Sequence, residues 1–210
     1  YWGFTSGEIA GLATAVFASA FLALSLAPQA SRRLGKRRAA MGAMIASMVV
    51  GLTPMMLRLA GLMPPNHSPA LFWIILVQSI VSVAFYIAGS TLTSAMIADV
   101  VEDGELKTGR RAEGVYFSAS IMISKAVSGA GLFAASAILG LIAFPTGVRP
   151  DHVPPAVLSH LAMTYAPIYA GLTAIGMSLL MGYQITRASH AETLETLAAR
   201  AEALAVGGAE

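Results

Sequence analysis

Five long apolar runs, at 7–27, 39–57, 70–98, 115–144 and 162–185, restrict what this 210-residue chain can fold into. A helix needs roughly 20 apolar residues to cross the hydrocarbon core of a bilayer. The few charges are gathered between the runs, at 11% of residues against 56% hydrophobic, and the mean hydropathy is +0.71. A soluble domain carries about a quarter charged residues, so this chain lacks the polar surface to cover a core in water. The expected fold class is therefore an all-α polytopic membrane protein of five transmembrane helices. The third and fourth runs approach 30 residues, which calls for tilt or for projection beyond the bilayer. There is no cysteine, so neither a disulfide framework nor thiolate chemistry is available.

Basic residues orient the spans. Arg32, Arg33, Lys36, Arg37 and Arg38 fill the first connection, whereas the second has only Arg58 at its edge. The third carries Lys107, Arg110 and Arg111, the fourth only Arg149, and the tail Arg187 and Arg200. This alternation puts the first and third connections and the tail in the cytoplasm and Tyr1 outside. An outside start with no basic n-region implies further spans upstream, so residues 1–186 read as a partial C-terminal transmembrane bundle and 187–210 as a cytoplasmic tail. Thr5 and Glu8 have capping-box spacing at the start of the first helix. In the tail, Leu194, Leu197, Ala201 and Leu204 share one helical face, as in a short amphipathic helix.

Lys125 is the strongest chemical signal. It lies about ten residues into the fourth span, roughly 15 Å deep at about 1.5 Å per residue. An ammonium near the bilayer centre costs about 2.5 to 3.5 kcal/mol to insert, and such groups face a wet cavity or a charged partner. Ser118, Ser128 and Gly129 share its face. On the third span Gln78, Ser82, Tyr86, Gly89 and Thr93 fall within an arc of about 80° at 100° per residue. That polar stripe suits the wall of a solute path, and it suits equally hydrogen bonding to neighbouring helices. Ser120, Ser124 and Ser128 form a ladder better matched to close helix packing.

Other chemistries find no support. His67, His152, His160 and His190 fall in loops, near interfaces or in the tail without zinc-type spacing, so no metal site is expected. There is no phosphate-binding glycine loop, HExxH or GxSxG, and an enzyme is not expected. The basic residues lack the aromatic interleaving of a nucleic-acid surface. Trp73 suits an interfacial aromatic belt.

The third connection reads Ala98-Asp99-Val100-Val101-Glu102-Asp103-Gly104-Glu105-Leu106-Lys107-Thr108-Gly109-Arg110-Arg111-Ala112-Glu113-Gly114, and Lys125 follows twelve residues after Glu113. This resembles the glycoside-pentoside-hexuronide:cation symporter family, a melibiose-permease-like branch of the major facilitator superfamily. In that family Asp-x-x-(Asp/Glu)-x-Gly-Glu-x-Lys precedes an Arg-x-Glu and an intramembrane lysine. By that register the five spans resemble helices 8–12 of a twelve-helix fold. Arg33-Leu34-Gly35-Lys36-Arg37 is similar to the end of the superfamily's loop motif, Gly-x-x-x-Asp-(Arg/Lys)-x-Gly-(Arg/Lys)-(Arg/Lys). Its beginning departs, with Pro28 in place of Gly and Arg32 in place of Asp.

The resemblance implies alternating access in a bacterial-type cytoplasmic membrane, with a sodium ion or proton coupled to a sugar, glycoside or related solute. Lys125 would act in solute and cation coupling, facing acids in the N-terminal helices that this chain lacks. Gln78, Ser82, Tyr86, Thr93, Ser118 and Ser128 would line the cavity. Asp99, Glu102, Asp103, Glu105, Lys107, Arg110, Arg111 and Glu113 would form a cytoplasmic ion-pair gate. No cofactor beyond the coupling cation is implied. The partners would be the solute, the lipid bilayer and the missing helices of the same protein. A transporter of the same fold for a lysolipid or other amphiphile is the alternative, since none of the spans has a mid-membrane Trp for sugar stacking. A non-transporting receptor or sensor comes third.

Overall fold

A computed structural model of the chain describes residues 1–145, 147 and 153–207, without the side chains of 201 and 204–207. Arg149 and His152, and the side chains of Ala201 and Leu204, lie outside the described residues. Described residues form α1 (Ser6–Leu34), α2 (Lys36–Leu59), α3 (Pro69–Thr108), α4 (Glu113–Leu141), α5 (Pro155–Leu180) and α6 (Arg187–Gly207). The first five are long and apolar enough to cross a bilayer.

The helix ends follow local chemistry. At the start of α1, Thr5 Oγ1 accepts from the Glu8 backbone N–H at 3.3 Å and the Thr5 N–H donates to Glu8 Oε2 at 2.8 Å, the expected capping box. Gly35 alone separates α1 from α2, at φ +80, a backbone region that favours glycine. Its N–H closes α1 on Ser31 O, and its carbonyl opens α2 by accepting from Ala39 N–H. The five basic residues read as a connection therefore sit in the last turn of α1 and the first of α2.

The second correction concerns α3. Its 40 residues are about 60 Å long, twice the hydrocarbon thickness of about 30 Å. Residues 99–108, expected as part of a connection, continue the helix until Gly109 ends it in the left-handed region. Nothing in 99–108 breaks a helix apart from the tolerated Gly104. The third correction is the last span. Two consecutive prolines, with Pro155 in the first turn, start α5 earlier than the hydropathy suggested, and it ends at Leu180 instead of running to 185. His160 consequently lies within α5.

Helices α1, α2 and α3 pack through small side chains. Ala23 and Ala27 of α1, Ala39, Ala40 and Ala43 of α2, and Ala88 of α3 are buried together with Leu92 and Met96. Lipid is as apolar as these residues, so association rests on close van der Waals fit and interhelical hydrogen bonds. Gly89 shows how close: a Cβ there would lie 3.2 Å from Met44 Cγ and 3.6 Å from Ala40 O. α5 leans on α2, and α6 on the projecting end of α3. α4 has no buried residue among those described and touches mainly α3. At the opposite end of the bundle, Phe4 packs edge-on against Phe72, and the Arg58 guanidinium lies 5.2 Å and 5.1 Å from the ring centres of Tyr1 and Trp2.

Candidate transport site and ion-pair cluster

The eight charged residues grouped as one gate divide into two sets. Asp99 is buried at the point where α3 meets the α1–α2 turn, and its partners come from elsewhere in the chain. Lys36 Nζ donates to Asp99 Oδ1 at 2.6 Å and Oδ2 at 2.8 Å. The Tyr183 hydroxyl also donates to Oδ2. His190 Nε2, on α6, lies 3.3 Å from Asp99 Oδ1 and 2.6 Å from Glu102 Oε2. Burial, and then the bond to Asp99 and its charge, push the Tyr183 phenol well above its usual range, so it remains a donor. Asp99, Glu102 and His190 are by donor type a set that could hold a metal ion. However, Lys36 and Tyr183 already occupy both Asp99 oxygens, so the protein supplies its own cation there.

The second set lies further along α3 and at the start of α4. Lys107 pairs with Asp103 at 2.6 Å, one helical turn away. Arg111 bridges Glu105 at 3.5 Å and Glu113 at 3.2 Å, tying the end of α3 to the start of α4. Arg110 is exposed, and its side chain has no ion pair among the described residues.

The polar stripe of α3 is also shared out. Ser82 Oγ donates to Ser47 O at 3.0 Å, and Gly89 is buried against α2, so both serve the α2–α3 seam. Gln78 is half-buried and accepts from Ser79 at 3.4 Å. Tyr86 is 61% exposed. Thr93 bonds back to Gly89 O at 2.9 Å and lines a cavity of about 400 Å³ between α3, α4 and the end of α5. That cavity is mostly apolar, walled by Met96, Ile97, Ile123, Leu179 and Leu180. On α4, Ser118, Lys125 and Ser128 are exposed on one side of the helix. Lys125 has no hydrogen bond or ion pair among the described residues, whereas Ser128 Oγ bonds to Ser124 O at 2.8 Å.

The described helices thus form a bundle held by small residues, with an ion-pair network at one end and Lys125 on an open face of α4. Residues 1–187 match the MFS/sugar transport protein family. The chain belongs to that family. An uncharacterized symporter of Synechocystis sp. is 35% identical over 123 residues, which is 57% of this chain and 22% of the relative. The aligned part thus spans about a fifth of that relative's length. The family and the five apolar helices make this a stretch of an integral membrane protein.

Three residues of this MFS chain's central cluster escaped the sequence. Lys36 looked like one topology anchor among five, Tyr183 fell inside an apolar run, and His190 had no sequence neighbour with ligand spacing. Asp99 was the available signal, since an acid directly after an apolar span and ahead of the charged stretch needs a cation nearby. Nothing in the local pattern said that the cation would come from 63 residues away.

Proposed function

We propose that the protein carrying this chain is a secondary active transporter that couples entry of a sugar or glycoside-like solute to a sodium ion or proton by alternating access. The reading rests on one observation above all, Lys125 about 18 Å into α4 from Glu113 on a face left open. A cation at that depth needs an anionic or aqueous partner, and the open side of α4 is where further helices of the full protein would meet it. Support also comes from the family match and from the relative's description as a symporter. In this reading the basic end of the bundle, with Lys36 and Arg111, faces the cytoplasm, as the positive-inside bias requires. The Lys36–Asp99 and Arg111–Glu105 pairs hold that end closed when the solute path opens on the other side. Individual surface pairs contribute about 0 to 1 kcal/mol, so the buried Asp99 cluster would carry most of the bias.

A second reading, transport of an amphiphile, has its own observation in the apolar cavity beside Thr93. Uptake of labelled glycosides and of a labelled lysolipid by the full-length protein, with and without an imposed sodium or proton gradient, separates the two. Gradient-driven glycoside accumulation supports the symporter, and lysolipid movement alone would overturn it.

A further inference from the structure

Next to the Lys36–Asp99 pair is a cavity of about 320 Å³ with a one-sided charge, a volume at the lower end of ordinary ligand pockets. Lys36, Arg37, Arg38 and Arg187 line it, and the acid in its wall is Asp99, already neutralised by Lys36. Positive-inside bias accounts for basic residues at the α1–α2 turn. It accounts for a basic tail as well, but not for Arg187, at the start of α6, docking on this same wall.

The two central guanidinium groups are already oriented. Arg37 Nη1 donates to Tyr183 O at 3.0 Å and Met181 O at 3.3 Å, and Arg187 Nη2 donates to Ser31 O at 3.1 Å and Arg32 O at 3.4 Å. Each bond uses a fraction of the five donors that a guanidinium has, so most of the fork remains unused. Arg38 is exposed and has no hydrogen bond or ion pair among the described residues. The first turn of α2, which lines the same cavity, has no side-chain cap because Gly35 offers none, so its N–H groups add positive potential.

We propose that this cavity is a binding site for a phosphate group, supplied either by an anionic lipid headgroup or by a soluble phosphate. Convergent guanidinium forks match phosphate oxygens in bidentate geometry. Basic pockets between spanning helices at the membrane interface are where phosphate headgroups bind. The walls come from the α1–α2 turn and from the 183–187 link into α6, so an occupant ties the two and holds α6 in place.

The test uses the full-length protein in nanodiscs and follows amide hydrogen exchange across 183–190. Inorganic phosphate is titrated into phosphatidylcholine discs, and a second series replaces part of the lipid with phosphatidylglycerol. Slower exchange with phosphate identifies a soluble source, and slower exchange with phosphatidylglycerol alone identifies a lipid source. Either supports the site provided that R38Q and R187Q each weaken the effect about tenfold, the loss expected for one hydrogen bond to a charged group. R38Q removes an exposed side chain that makes no hydrogen bond or ion pair among the described residues, so its fold is safe, and R187K separates charge from fork geometry. Exchange unaffected by both ligands, or protection that persists in the R38Q/R187Q double variant, overturns the proposal.

Discussion

Lys36 Nζ lies 2.6 Å from Asp99 Oδ1 although the two are 63 residues apart, and Asp99 is only 4% exposed. A buried carboxylate is costly unless its oxygens are satisfied, and here Lys36, Tyr183 and His190 surround it. Asp99→Asn should therefore leave the partly buried Lys36 without its counter-charge and lower stability by about 2 kcal/mol, the scale of a hydrogen bond to a charged group. Thermal unfolding in detergent measures it. In a double-mutant cycle, Lys36→Met should relieve part of the cost of Asp99→Asn. Strict additivity of the two would show that the pair does not couple.

His190 is the α6 residue that reaches both Asp99 and Glu102, and Arg200 adds a bond to Leu106 O at 2.9 Å. His190→Ala should loosen the tail helix by about 1 kcal/mol and leave α1–α3 packed. Limited proteolysis reads this directly, with faster cleavage in 187–200. Cleavage at the wild-type rate would mean that α6 is held by other contacts.

The two sets of charges predict different outcomes for adjacent arginines. Arg111 joins α3 to α4 through Glu105 and Glu113, whereas Arg110 has no ion pair among the described residues. Arg111→Ala should raise labelling of a cysteine engineered into the cavity from the basic side, and Arg110→Ala should not. Equal effects from the two would show that the local charge matters and the specific bridges do not.

Sequence pattern was sufficient where the physics is local. Spans follow from hydropathy, and the α1 start from Thr5 and Glu8, because lipid and capping act within a few residues. The continuation of α3 through 99–108 was missed because charge density was read as a loop, although charged residues with good helix propensity extend a helix readily. Ser82 could not be assigned, since the same hydroxyl in the same stripe can face a solute or Ser47. Choosing between them requires the position of α2. The Asp99 cluster is non-local by construction, with contributors from α2, α3, the 181–186 link and α6.

Gly89 tests the packing of that non-local frame. An added Cβ would meet Met44 Cγ at 3.2 Å, and Met44 has a flexible side chain that can yield. Gly89→Ala should accordingly be tolerated, whereas Gly89→Leu should push α2 from α3 at about 1 to 3 kcal/mol, the usual range for overpacking. Thermal unfolding of the two variants decides it, and equal melting temperatures would contradict the close contact.

Lys125 carries the sharpest prediction. It is about 18 Å along α4 from Glu113, exposed beside Ser128, and without a partner among the described residues. A lysine at that depth carries an insertion cost of about 2.5 to 3.5 kcal/mol, which a charged or aqueous partner offsets. If its partners are acids on helices that meet the open face of α4, the ammonium favours their ionised form and competes with the coupling cation for them. Occupancy by solute and by cation are then linked through one site. Lys125→Met preserves most of the length and the apolar stem, so insertion into the membrane should be unchanged or improved. Gradient-driven accumulation of solute by the full-length variant should fall at least tenfold, while solute exchange at equilibrium, which needs binding and rocking but no net coupling, should persist. Loss of both activities with normal expression would make Lys125 a solute-binding residue and not a coupling one. Undiminished accumulation would show that its charge has no part in transport.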